Sequence, residues 1–146
     1  MKTCELQGAE LDYWVARAEG IEHPRALRAM APGFVMVPYE TEDEDGPITR
    51  YRAFMPSSEW MDGGPVMEKA AIGWRDRSAS AHVGAHKGLS SVEGEPWEAW
   101  YCDGGEEGGN VEHNHVQTGR TPLVAAMRAF VSSKFGDTVP DEQEPA

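Results

Sequence analysis

The stretch from Gly119 to Gly136 constrains the fold more than any other. It opens Gly119-Arg120-Thr121-Pro122, runs through Leu123-Val124-Ala125-Ala126-Met127-Arg128-Ala129-Phe130-Val131, and closes on Lys134-Phe135-Gly136. Thr121 is an N-cap, because its hydroxyl can accept from a free N–H just inside the helix. Pro122 suits the first helical position, where no N–H is needed. Val124, Met127, Val131 and Phe135 recur at helical spacing on one face, with Leu123 and Phe130 flanking. Arg128 and Lys134 lie toward the negative end of the dipole, and Gly136 permits a left-handed stop.

A second helix is expected over 9–19. Leu11, Trp14, Val15 and Ala18 form its apolar face, widened by Tyr13 and Ala16; Glu10 and Asp12 sit in the first turn, and Gly20 ends it. Pro24 followed by Arg25-Ala26-Leu27-Arg28-Ala29-Met30 fits a short helix with proline at its start. Phe34 to Val37 is an apolar run suited to a buried strand, and Ile48 to Phe54 favours a strand by its Thr, Tyr and Ile content. Between them, Glu40 to Asp45 places five carboxylates in six residues. Such a run repels itself and belongs in a solvated loop or hairpin tip.

Ser57 or Ser58 is expected to cap a helical region that Trp60-Met61-Asp62-Gly63-Gly64-Pro65 interrupts, with Pro65 starting a helix through Lys69. Strands are expected at Ile72-Gly73-Trp74, at 97–102 and at 111–116. A glycine-rich turn at 104–109 joins the last two. Residues 78–96, rich in Ser, Ala, Gly and His, read as a long loop. Three short helices cannot bury a core alone, and the strands between them need a cover. The expectation is α+β: a single domain over 1–139, its helices packed on one mostly antiparallel sheet, with an acidic flexible tail at 140–146.

With 146 residues the prior is one domain. Lys and Arg number 13 against 25 Asp and Glu, a net charge of −12. That balance opposes binding to duplex nucleic acid, which needs a basic face. No apolar run approaches the roughly 20 residues of a membrane span. The opening Met1-Lys2-Thr3-Cys4-Glu5-Leu6 lacks the apolar core of a secretory signal. Cys4 and Cys102 are far apart and read as reduced thiols that pack as small, partly buried hydrophobes. A cytoplasmic home follows.

Three segments carry a resemblance. Gly8-Ala9-Glu10-Leu11-Asp12-Tyr13-Trp14-Val15-Ala16-Arg17-Ala18-Glu19-Gly20 resembles the opening of the NinX family of small phage and prophage proteins. Gly63-Gly64-Pro65-Val66-Met67-Glu68-Lys69 resembles that family's central Gly-Gly-Pro segment. Thr121 to Arg128, continuing to Ser133-Lys134-Phe135-Gly136-Asp137, resembles its most specific stretch. The segments occupy about a quarter of the chain, in the family's order. The resemblance implies a phage or prophage accessory protein acting in the bacterial cytoplasm. It implies no activity and transfers no catalytic residue. The excursion over 78–96 is longer than the family's usual pattern.

Several constellations bear chemistry. His82 and His86, four apart, precede Glu112-His113-Asn114-His115. Histidines alternating on a strand share a side, so His82, His86, His113 and His115 fit a tetrahedral metal site, with Glu112 as base of a hydrolase. The plainer alternative is surface and loop histidine, and no cofactor is expected. Ser57, Ser58, Ser90 and Ser91 lie in no nucleophile elbow. The glycines around Glu106-Glu107 put carboxylates where a phosphate cradle needs none.

Five tryptophans are many for this length. Core packing accounts for most, but Trp97 and Trp100 have opposite parity on one strand, so one faces outward. An outward Trp marks a ligand or partner surface. Arg50, Arg52, Arg75, Arg77 and Arg120 can pair such a ring with a phosphate. A pocket is expected where the Gly119-Arg120-Thr121 turn meets that strand, lined by Arg120, Thr121, Trp97, Trp100, Trp74 and Trp60.

The leading functional expectation is therefore a non-catalytic binder of a small nucleotide-like ligand, sequestering a host defence signal. One alternative is an acidic module that engages a host protein through the 40–45 run. The other is the metal-dependent hydrolase. A homo-oligomer is compatible with either kind of binder.

Overall fold

Helices and strands alternate as the residue patterns require, but the strands divide between two sheets. The structure is a computed structural model that describes residues 1–21, 25–27, 34–76, 94–102 and 113–140. A 3-10 turn at Thr3–Glu5 leads to α1 (Gly8–Ala18). Strands β1 (Arg25–Leu27), β2 (Phe34–Asp43) and β3 (Gly46–Ala53) follow, then α2 (Trp60–Lys69). Strands β4 (Ile72–Asp76), β5 (Trp97–Cys102) and β6 (His113–Gly119) precede α3 (Pro122–Phe135). Among the described residues the strands form two antiparallel three-stranded sheets, β1-β2-β3 and β4-β5-β6. The architecture is α+β, with two sheets in place of the expected one.

Helix α3 is the centre of the core. Thr121 caps it as its sequence requires, its hydroxyl accepting from the Val124 N–H at 3.1 Å. Gly136 ends it at φ +85°. The expected single apolar face is an underestimate, since every residue from Leu123 to Ser132 is buried. An α-helix covered on all sides has no solvent face to keep polar. The β4-β5-β6 sheet, α1 and α2 all pack on it. At its start the approach is close: a Cβ on Gly119 would sit 2.5 Å from the Ala125 nitrogen. At its end, Trp14 of α1 meets the Phe135 ring edge-on at 5.2 Å.

Three local expectations change. Residues 25–27 form a strand rather than a helical start, with Arg25, Ala26 and Leu27 paired to Met36, Val35 and Phe34. Three residues gain little as a helix, whereas an open strand edge satisfies their backbone directly. The 60–69 segment is one helix with Gly63, Gly64 and Pro65 inside it. Gly63 serves close packing there: a Cβ would come 2.4 Å from the Pro56 carbonyl oxygen and 2.6 Å from a Leu123 methyl. The residue ahead of this helix is Glu59, with no side-chain cap, so neither Ser57 nor Ser58 performs the expected capping.

The acidic run is a hairpin tip. Glu40 to Asp43 belong to β2, and Glu44-Asp45 turn the chain, the Asp43 carboxylate accepting from the Asp45 N–H at 2.8 Å. Its carboxylate residues are all exposed, as self-repulsion demands. Cys4 is exposed rather than packed. The loop expected over 78–96 falls almost wholly outside the described residues, as do the turn at 104–109 and residues 141–146 of the tail. No helix among the described residues is long and apolar enough to cross a membrane.

Candidate functional site

Strand parity separates Trp97 from Trp100. On one face of the β4-β5 ladder, Trp74 and Trp97 are diagonal neighbours, since Trp74 pairs with Ala99 and Asp76 with Trp97. Their rings meet edge-to-face at 5.7 Å. Trp60, the first residue of α2, adds its ring 6.2 Å from Trp74. The three indoles make a row in which Trp60 is 53% and Trp74 43% exposed, while Trp97 is half-buried. Met61, beside Trp60, is 90% exposed. The rings are tilted by 57° and 65° to one another, so they present faces and edges outward and enclose no parallel slot.

Trp100 lies on the other face. It fills the space above Gly73, where a Cβ would come within 2.5 Å of its ring. The Arg75 guanidinium sits 5.7 Å from the same ring and ion-pairs with Glu98, itself 1% exposed. Trp100 therefore does not share a surface with Trp97.

Arg120 and Thr121 are both exposed, one and two residues past the point where Gly119 pairs with Trp97. The Thr121 hydroxyl accepts the helix-capping hydrogen bond, which commits it to structure. The arginines do not converge. Arg50 is exposed opposite Tyr39, Arg52 pairs with Asp62 at 2.9 Å, and Arg75 belongs to the Trp100 face. Arg77 lies outside the described residues.

Of the histidines, His82 and His86 lie outside the described residues, as does Glu112, and the His113 side chain is likewise not described. His115 is exposed, with Nδ1 3.2 Å from the Ser132 hydroxyl. Its φ of +56° marks an irregularity where the β5-β6 register shifts between Ala99 and Tyr101. Such a bulge interrupts regular strand alternation at His115. No group of three metal-ligating side chains gathers among the described residues.

The burial of Arg128 and Asp12, like that of Glu98, escaped the sequence reading. Arg128, expected near the helix end for its charge, is 5% exposed in the middle of the core. Its Nε donates to the Leu6 carbonyl and its Nη1 to the Thr118 carbonyl, both at 2.8 Å, and Nη1 also meets Glu95 at 3.0 Å. A lone arginine in the apolar run from Leu123 to Val131 was the available signal. Asp12, expected to serve the α1 dipole, instead points inward to Ser57. Burial pushes its carboxyl up to about 6, partly opposed by its hydrogen bonds from Ser57.

A family model described as Bacteriophage P22, NinX matches residues 2–134 of the chain. No curated protein matches it.

Proposed function

The chain belongs to the NinX family and is a phage accessory protein, and we propose that it acts by binding, without catalysis, through the Trp60–Trp74–Trp97 row. The observation that carries this reading is the exposure of two adjacent indoles, one on a helix and one on a strand. Large exposed aromatics are costly in water, and a contiguous set of them marks a contact surface.

A planar ligand bearing an anionic group suits the row. A base stacked on one indole gains about 1–3 kcal/mol. Arg120 follows the ladder partner of Trp97, so a phosphate has a guanidinium and the positive end of α3 within the same neighbourhood. A nucleotide-like host signal, held in the bacterial cytoplasm, is the ligand class this supports. The proposed surface uses Trp60, Trp74, Trp97 and Arg120, and leaves out Trp100, which faces the other way, and Thr121, whose hydroxyl caps α3.

Tryptophan fluorescence titrated with a panel of mono-, di- and cyclic nucleotides tests it. Saturable quenching that weakens about tenfold in Trp74→Ala and in Arg120→Ala supports the reading. Binding unchanged by both substitutions refutes it.

The exposed Met61 beside Trp60 favours a second reading, in which the row seats a host protein. A host protein captured by the parent and lost by Trp60→Ala/Met61→Ala, with no nucleotide response, selects that reading.

A further inference from the structure

A cleft of about 290 Å³ is lined by Met61 but by none of the three tryptophans; its other walls are Ile21, Phe54, Pro65 and Val66 with the pairs Arg52–Asp62 and Lys69–Glu19. It opens where the end of α1, strand β3 and helix α2 meet. Its size is near the small end of known small-molecule pockets, roughly 300 Å³ and upward. The lining divides by chemistry. Ile21, Phe54, Pro65, Val66 and Met61 are apolar, and the rest are two ion pairs.

The ion pairs are lopsided toward solvent. Arg52 meets Asp62 at 2.9 Å with side-chain exposures of 51% and 13%, and Lys69 meets Glu19 at 3.3 Å with exposures of 78% and 17%. Both Asp62 oxygens are occupied, one by Arg52 and the other by the Met55 N–H at 2.9 Å. The cations keep capacity in hand. Among the described residues Arg52 hydrogen-bonds only through Nη1, toward Asp62 and the Ala53 carbonyl, with its guanidinium 5.9 Å from the Phe54 ring, and Lys69 uses one of its three N–H bonds. The accessible charge above this apolar floor is therefore positive, in a protein whose net charge is −12.

We propose that the cleft binds a small amphiphilic carboxylate. Its compact apolar body, aromatic or branched, rests on Ile21, Phe54 and Val66, and its carboxylate takes the spare donors of Arg52 and Lys69. Met61 packs against the outer side of that body. Its unbranched thioether suits an adaptable contact of this kind, and the ligand removes its exposed apolar surface from water. Charge selects the head group, and the floor selects the tail. This site is independent of the nucleotide reading of the tryptophan row.

The test uses ¹⁵N-labelled full-length protein and two probes of like shape, 1-naphthoate and neutral 1-naphthalenemethanol. Naphthoate is expected to give saturable amide shifts in Arg52, Phe54, Asp62, Val66 and Lys69. The alcohol is expected to bind at least about fivefold more weakly, for want of charge-assisted hydrogen bonds. Lys69→Gln, at a largely exposed side chain, is expected to weaken naphthoate binding about fivefold while leaving the alcohol unchanged. Arg52→Gln should do the same. Should Arg52→Gln fail to fold, Lys69→Gln and the wild-type shift map decide the matter alone. Equal affinity for the two probes, shifts centred on Trp60, Trp74 and Trp97, or no saturable shift near the solubility limit would each overturn the proposal.

Discussion

The buried Asp12 carboxylate accepts the backbone N–H of Ser57 at 2.8 Å, tying α1 to the turn that precedes α2. Asp62 lies near enough to oppose its ionisation further. Desolvation outweighs the two Ser57 hydrogen bonds, which leaves the carboxyl at about 6 against an ordinary 3.8.

Stability should therefore depend on pH through Asp12. The folded state holds this proton more tightly than the unfolded state, so the contribution is fully present below about pH 3.8 and is lost as pH rises through about 6. The full difference is on the order of 3 kcal/mol. Asp12→Asn keeps an acceptor for the Ser57 N–H and cannot ionise. Urea titrations at pH 5.0 and 7.5 should show Asn gaining on Asp as pH rises, by about 1–2 kcal/mol. A gap that stays constant with pH contradicts the assignment.

Arg128 is another buried charge, and it joins three parts of the chain through Leu6, Thr118 and Glu95. Removing it takes a charged donor from two carbonyls and leaves the Glu95 carboxylate with the Thr118 hydroxyl. Arg128→Met should cost about 3–5 kcal/mol by chemical denaturation, despite a similar volume. Arg128→Lys should also lose stability, since one ammonium cannot span the same partners. A loss below about 1 kcal/mol in Arg128→Met means the network is dispensable.

The neighbouring glycines of α2 should respond differently to the same change. Gly63→Ala would put a methyl 2.4 Å from the Pro56 oxygen, and overpacking should destabilise by about 1–3 kcal/mol. Gly64 has open space around a new Cβ. Its helix-propensity gain of about 1 kcal/mol is opposed by the restriction on a residue before proline, so Gly64→Ala should stay within about 1 kcal/mol of the parent. Thermal melts of the two variants compare them directly, and equal melting temperatures would contradict the packing account.

The Glu44-Asp45 turn should tolerate replacement. Asn-Gly at these positions suits a two-residue hairpin and removes two of the crowded carboxylates. Stability should rise or stay within about 0.5 kcal/mol. A loss of soluble protein would show that the tip makes contacts the strand register does not require.

The sequence wrote α1, α3 and the β2-β3 hairpin in local terms. Leu11, Trp14 and Val15 at helical spacing, Thr121 beside Pro122, and a carboxylate run between two strand patterns each have one comfortable backbone. The opposite facing of Trp97 and Trp100 was legible too, because strand alternation is a local property. The family likewise followed from short segments, and the match over residues 2–134 bears it out.

Contacts between distant residues were not written locally. Gly63 reads as a helix breaker until Pro56 and Leu123 are seen pressing on it. Residues 25–27 read as helix until Phe34 to Met36 offer a strand edge. Arg128 and Asp12 read as dipole partners until burial turns them into cross-links. The candidate site divides in the same way. Sequence supplied the indoles and the opposite facing of Trp97 and Trp100, but only packing brought Trp60 to Trp74 and set Arg75 against Trp100. Local propensities differ by about 1 kcal/mol or less per residue, whereas burial and pairing of a single side chain carry several. Where the two agreed, the sequence alone determined the element; where they competed, the tertiary contact decided it.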